Sequence, residues 1–481
     1  MNHGYPSASA SESVRRRCVT GPLCAACIVV TVLLPHTSVA SAAGGPEPDP
    51  AAATPDSPDA ETPDSVEQGQ VQMPDSFSRQ PIRKLLHESR MVGLRDIAFN
   101  LQLRNFYLDR ANFDGSDSEA WALGGSAGVK SGYFGNLIAF GATGYTSQRL
   151  YGPLHKDGTK LLQPEQQPYT VIAGELYGQI KLSSKINVTV GRKGIESPFI
   201  NSQDSLMTPN TFSGYALFGT IGSTDQRKLH FAAGYIDRIK PRNAEDFESM
   251  AAAAGAPAGV ERGVYVAGVS STAGALEIGG ADYHSADIIN ITYAEARYKL
   301  PLADRLGLRF GAQYADQTSA GSNLLTGDVF SNHQYGLKIE LARGPSLFTL
   351  ARTVTSNGTV GGGGAASDAN MRNPWGAYPG YTSVQIQNFD RAGENATLLR
   401  AAYNFPTRTG LSVYALWVGG STPHGDNQYA QQETDVNLKW KPQSRAWTRL
   451  TLLARYGHVS QAGPVDQHKN ELRLAFYYQP L

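Results

Sequence analysis

The chain of 481 residues holds three cysteines, and all of them, Cys18, Cys24 and Cys27, lie in its first thirty positions. Everything downstream therefore lacks disulfides and any thiol nucleophile. Beyond residue 35 no apolar stretch is long enough to cross a membrane as a helix. That absence leaves a barrel open, because a barrel strand shows lipid only every second side chain. The ten histidines have no metal-ligand spacing. The run Gly361-Gly362-Gly363-Gly364 is followed by neither a lysine nor a helix, so it reads as a flexible loop tip and not as a phosphate loop. No metal, cofactor or nucleic-acid partner is expected.

The first 42 residues read as a signal peptide. Arg15, Arg16 and Arg17 are its basic end, Cys18 to Pro35 its apolar run, and Ala40-Ser41-Ala42 its cleavage site. A single anchoring helix and a lipoprotein modified at Cys27 are the alternatives. Residues 43–90 form a Pro- and acid-rich periplasmic tail. Its part 43–76 has too few large apolar side chains to fold, and serves as a linker or a tether to a periplasmic partner. A short helix is expected from Ile82 to Leu86. Three of the 42 basic residues and nine of the 42 acidic ones precede residue 77, which leaves 39 and 33 behind it, a net of +6.

Residues 91–481 are dominated by period-two polarity. Leu306, Leu308, Phe310, Ala312 and Tyr314 alternate with Gly307, Arg309, Gly311 and Gln313. Successive side chains of a strand point to opposite faces, so one face is apolar and the other polar or bare. Many such segments in an exported chain predict an all-β fold, a transmembrane antiparallel β-barrel of about 18 strands. They run at about 94–109, 119–130, 135–146, 169–182, 185–193, 211–221, 228–239, 262–271, 275–284, 287–299, 305–318, 333–343, 346–354, 396–405, 411–419, 432–440, 447–458 and 470–479. Alternate links carry tight-turn chemistry, as at Ser183-Ser184 and Gly344-Pro345. The others are long, near 147–168, 194–210, 240–261, 319–332, 355–395 and 420–431. Long loops face outward and short turns the periplasm. The link near 285–286 is the exception, an outer loop of almost no length. Aromatic residues near strand ends, Trp121, Tyr133, Phe134, Trp417, Trp440, Trp447, Tyr477 and Tyr478, suit an interfacial girdle.

Several blocks resemble the OprD family of substrate-specific outer-membrane porins. Leu103-Arg104-Asn105-Phe106-Tyr107 with Arg110 is similar to that family's first strand. Trp121-Ala122-Leu123-Gly124 and Lys130-Ser131-Gly132-Tyr133-Phe134 resemble its second strand and turn. Asp204 to Gly214 resembles the block ending its third outer loop, and Tyr378-Pro379-Gly380-Tyr381-Thr382 its seventh. The resemblance covers roughly 85–481. It implies an eighteen-stranded barrel in the outer membrane of a Gram-negative bacterium, monomeric or alternatively trimeric, with outer loops folded inward. It also implies passive passage of small carboxylates, either amino acids or aromatic and aliphatic acids. Where the family has an arginine and two leucines in the third loop, this chain has Leu206, Met207 and Thr208. The chain ends Gln479-Pro480-Leu481 in place of an aromatic residue, so Phe476 and Tyr478 are the candidates for recognition by the barrel-assembly machinery.

Parity places a strip of cations inside the pore: Arg309, Lys338, Arg400, Lys439, Arg449, Arg455 and Arg473. Guanidinium groups present paired donors to a carboxylate, so a row of them can hand an anion along. The competing reading is that acids such as Asp435, Glu471 or Glu340 pair with them and brace the wall. Asp204, Ser205 and Thr208 of the third outer loop, with Tyr378, Tyr381 and Asp390 of the seventh, are the candidate constriction residues. A structural or adhesive barrel and a nonspecific porin are the alternatives. A barrel enzyme finds no convincing trio among His230, His284 and His458.

Overall fold

The computed structural model describes residues 92–480, apart from 225–226, 304, 362–368, 406–408, 423–428, 445–446 and 463–466. The expected signal peptide, the tail and the helix at Ile82 lie outside the described residues, as do Gly362 to Gly364. A four-residue helix, α1 (Val92–Arg95), leads into the wall.

Eighteen strands build that wall: β1 (Ala98–Ala111), β2 (Asp117–Lys130), β3 (Ile138–Tyr151), β4 (Tyr169–Lys181), β5 (Ile186–Lys193), β6 (Thr211–Thr224), β7 (Arg227–Lys240), β8 (Val264–Ala273), β9 (Leu276–Ser285), β10 (Ile289–Ala303), β11 (Leu306–Ser319), β12 (Phe330–Arg343), β13 (Ser346–Thr355), β14 (Asn395–Asn404), β15 (Leu411–Thr422), β16 (Tyr429–Trp440), β17 (Leu450–Ala462) and β18 (Gln467–Tyr478). Each pairs antiparallel with its neighbour in sequence. The last closes on the first, Leu103 opposite Tyr478 and Ala111 opposite Asn470, so no edge is left open. Two further strands of two residues, Glu248–Ser249 and Thr359–Val360, lean on β7 and β12. The short outer link is real: only residues 286–288 join β9 to β10.

Strand ends differ from the sequence expectation mainly at the outer rim. β3, β15 and β17 continue to Tyr151, Thr422 and Ala462. Their last rungs include Ser421 opposite Ala430 and Gln461 opposite Gln431. These rungs are polar or small on both sides, so alternation has little to show there. At the other end β1 starts at Ala98, because Leu94 and Arg95 belong to α1.

The apolar faces point outward. Ile172, Leu337, Leu350, Leu399 and Leu438 are exposed, while Lys338, Asp435 and Glu471, each on the opposite face of its strand, are buried. Trp121, Trp417, Trp440 and Trp447 stand on the exposed surface. Tyr477 departs from the expected girdle. It lies on the face that carries Arg473, and the Arg104 guanidinium sits 5.5 Å from its ring.

The inside of the barrel is packed in three apolar clusters. Tyr283, Ile289, Ile291 and Tyr293 face inward from β9 and β10 and are covered by the loops after β5, β7 and β13. Phe106 and Leu108 of β1 are covered by Leu161, Leu162, Leu206 and Met207. These inward apolar residues break the alternation because their solvent is a loop and not water.

Candidate transport pathway

Four outer loops fold over inward faces: the loop after β3 (152–168), loop 3 (194–210), loop 4 (241–263) and loop 7 (356–394, described at 356–361 and 369–394). Loops 3 and 7 are stitched by backbone. Ile200 bridges Trp375 in parallel, and Asn201 N donates to Trp375 O at 3.2 Å. The Asn201 amide closes the seam, accepting from Ala377 N at 2.8 Å and donating to Ala377 O at 3.1 Å. Trp375 is fully buried, and its Nε1 donates to Met250 O of loop 4 at 2.8 Å. Phe199 takes edge contacts from Tyr283, Tyr293 and Tyr378 at 5.9, 6.1 and 5.9 Å. Aromatic pairs in this geometry add stability beyond their buried area.

The inner tip of loop 7 rests on acids of the wall. Ile386 N and Gln387 N donate to the two oxygens of Glu433 at 2.7 and 2.8 Å, and Gln385 N donates to Asp435 at 3.3 Å. Gln385 Nε2 donates to Glu471 at 3.2 Å, and Arg473 Nη2 donates to Gln385 O at 3.1 Å. At the base of the loop Gln431 donates to Glu394 at 2.7 Å. Burial, with Glu394 beside it, pushes the Asp390 carboxyl up to about 7.

Loop 3 is fixed on the other side. Arg104 of β1 grips Asp204 with both terminal nitrogens, at 2.5 and 2.6 Å, and donates to Leu206 O at 2.8 Å. Thr208 is fully buried. Its hydroxyl donates to Arg242 O at 2.6 Å, as does Tyr169 OH at 2.9 Å. Arg242 of loop 4 donates to Ser205 Oγ at 3.0 Å. Burial first, then Arg473 and Arg110, bring its pKa down to about 10.

The expected constriction residues thus mostly fasten the loops. Thr208, Tyr378 and Tyr381 are buried, and the Tyr381 hydroxyl donates to Glu295 at 2.7 Å. Asp204 is matched by Arg104. They sit in the inward loops, as their segments suggested, but they are anchors more than lining.

Register sets out the cations. Arg455 lies directly opposite Arg473, with Asn437 on the far side of Arg455. Beside that row runs another through Arg309, Glu340, Thr349, Arg400, Leu416, Asp435, Gly457, Glu471 and Arg110, each opposite the next. Lys439 is opposite Leu453, two pairs from Arg455 toward the periplasmic turns. Lys338 lies 3.8 Å from Glu340 and 4.5 Å from the Tyr381 ring centroid. Arg400 stacks on Tyr414 at 4.0 Å. Glu471 accepts from Arg473 at 2.6 Å and from Arg110 at 2.5 Å. Arg449 is a correction. It is exposed in the turn before β17 and belongs to no strand, because the ladder begins only at Leu450.

Arg104, Arg110 and Arg242 had been given no role in the pathway. Arg104 and Arg110 share the inward parity of β1, but Phe106 and Leu108 between them hide the pattern. Arg242 stands in a loop, where no period marks it.

An apolar outer band, closed pairing and loops folded into a charged lumen define an outer-membrane porin. The sequence profile described as outer membrane porin, OprD family, matches residues 94–480. The chain belongs to that family: it is an integral outer-membrane protein of a Gram-negative bacterium and a substrate-specific passive channel, not an enzyme. No curated protein sequence matches it. Among solved structures it is similar to Pseudomonas aeruginosa OpdK with vanillate (TM-score 0.65, 20% identity, 80% of this chain and 99% of that one). A BenF-like porin from Pseudomonas fluorescens Pf-5 gives 0.66, 18%, 80% and 99%. OccAB3 of Acinetobacter baumannii gives 0.69, 18%, 80% and 99%. At these identities the likeness speaks for the fold.

Proposed function

We propose that the channel passes small carboxylate-bearing solutes, amino acids or small organic and aromatic acids, along a strip formed by Arg309, Lys338, Arg400, Lys439, Arg455 and Arg473, with Arg110 and Arg242 beside it. The observation that carries this reading is the Arg455–Arg473 pair, two cations directly opposite each other on adjacent strands. Like charges so placed are destabilising for a wall, and Glu471 offsets part of that through Arg473. An anion drawn to the pair adds to that offset, and weak repeated binding of this kind is what conduction needs. Low-dielectric walls strengthen the field. Vanillate, the compound solved with OpdK, is a carboxylate. The inward course of loop 7 favours a selective pore over an adhesive barrel or a nonspecific porin. The same reading has the chain exported by residues 1–42, inserted by the barrel-assembly machinery and active as a monomer.

The test is uptake into proteoliposomes. Arg455→Gln should lower benzoate entry and spare a neutral sugar, since a charge-assisted bond is roughly twice as strong as a neutral one. Arg449→Gln, changed in the exposed turn, should leave both rates alone. Equal loss of both solutes in Arg455→Gln, or no loss, rejects the strip.

A further inference from the structure

We propose that this channel discriminates against solutes that carry an ammonium group, and that Arg104 sets the discrimination by occupying Asp204. The inference rests on the carboxylate reading above and narrows it. A zwitterion moving past a cationic strip needs an anionic partner for its other end. Asp204 is the candidate in loop 3, with its side chain 37% exposed. Both of its oxygens are taken by Arg104, whose own side chain is only 7% exposed. A bidentate pair of this kind holds its geometry as well as its charge. The carboxylate therefore cannot turn to a passing ammonium without leaving a buried guanidinium unmatched, which is the costly way to break such a pair.

The wall offers little else. Glu295 is gripped by Arg297 at 2.8 and 2.5 Å and by Tyr381, and Glu277 binds Lys299 at 2.7 Å. Glu471 lies between Arg110 and Arg473, and Glu433 is closed over by loop 7. In loop 7 Asp390 is lifted to about 7 by burial, so it carries about half a negative charge near neutrality. The passage presents cations to the solute and keeps Asp204, Glu277, Glu295, Glu433 and Glu471 engaged. A simple acid suits it, and an amino acid does not.

Arg104→Gln should uncover Asp204. The readouts are ion selectivity from reversal potentials in planar bilayers, and entry of benzoate, lysine and a neutral sugar into proteoliposomes. Wild-type protein should admit benzoate faster than lysine. Arg104→Gln should raise lysine entry by about fivefold, the Boltzmann weight of one unit charge at about 4 Å under water-like screening. It should also shift the reversal potential toward cations. Adding Asp204→Asn to Arg104→Gln should cancel the gain; if the double variant keeps it, loop 3 has merely loosened and the proposal falls. Asp204→Asn alone leaves Arg104 without its anion and should shift selectivity the other way, toward anions. No shift there also overturns the proposal, whether or not Arg104→Gln assembles. Wild-type protein passing lysine as fast as benzoate, both faster than the sugar, would reject this inference and leave the carboxylate strip standing. Benzoate no faster than the sugar would reject the strip itself.

Discussion

Replacing Glu433 by glutamine should release the inner tip of loop 7 and change the current through single pores. Glu433 is fully buried on the lumen side of β16, and its two oxygens accept from Ile386 N and Gln387 N at 2.7 and 2.8 Å. Glutamine keeps one acceptor and turns a donor toward the other amide. The amide left facing a donor costs ~1–3 kcal/mol. That weakens the docked tip by about 2 kcal/mol, roughly thirtyfold in the ratio of docked to released tip. Phe389 stays buried among Ala396, Leu398 and Val418, so the change is confined to the tip near 384–388. In planar bilayers the variant should spend time at higher conductance levels that wild-type pores rarely visit. Current histograms identical to wild type would refute the idea that these two hydrogen bonds hold the tip.

Trp375→Ala should cost about 3–5 kcal/mol of loop packing, the usual toll for emptying a buried aromatic site, and should also take the indole donor from the Met250 carbonyl. Limited proteolysis would then cut loops 4 and 7 in folded barrels far faster than in wild type. Asp390 predicts a pH dependence with a definite sign. Its folded pKa of about 7 lies above the ordinary 3.8, so the native loop binds the extra proton. Its stability must fall as pH rises from 3.8 to 7 and level off above. Asp390→Asn should flatten that slope, measured as resistance of loop 7 to protease between pH 4 and 8; a slope unchanged in the variant would assign it to another group.

The wall was legible because lipid enforces period two. Phe310, Ala312 and Tyr314 read as one face and Gly311 and Gln313 as the other from the sequence, and the structure has the first three exposed and the other two buried. The rule loses its cause where lipid ends. Extending it past Leu450 put Arg449 on a strand that has not begun. It fails too where a loop replaces water inside: Phe106, Leu108, Tyr283 and Tyr293 face the lumen and are apolar, yet they sit on strands like any other. Which segments fold inward was readable only through the resemblance of Asp204 to Gly214 and of Tyr378 to Thr382. The partners of loop 7, Met250, Phe199 and Glu433, lie far away in sequence, and no local pattern ties them together.

The cations show where sequence goes one step further than parity. Residues two apart on a strand share a face, so an acid at that spacing is a ready partner. Glu295 with Arg297, Glu471 with Arg473 and Lys338 with Glu340 are such pairs, and all three form ion pairs within 4 Å. Arg455 is flanked at the same spacing by Leu453 and Gly457, and Arg400 by Leu398 and Ala402. Nothing acidic on their own strands competes for them. Their charge is set against neighbours across the ladder, Asn437 and Arg473 for the one, Thr349 and Leu416 for the other, and none of these is an acid. An acid two residues away thus marks a cation that its own strand ties into the wall, Lys338 and Arg473 of the strip included, while Arg400 and Arg455 are held by contacts that no such spacing marks. On that ground Arg455→Gln should cost anion flux more than barrel stability, with Arg297→Gln the reverse. Thermal shift of heat-modifiable migration, read beside benzoate uptake, tells the two apart. If Arg297→Gln abolished uptake in a barrel as stable as wild type, spacing would not sort these roles.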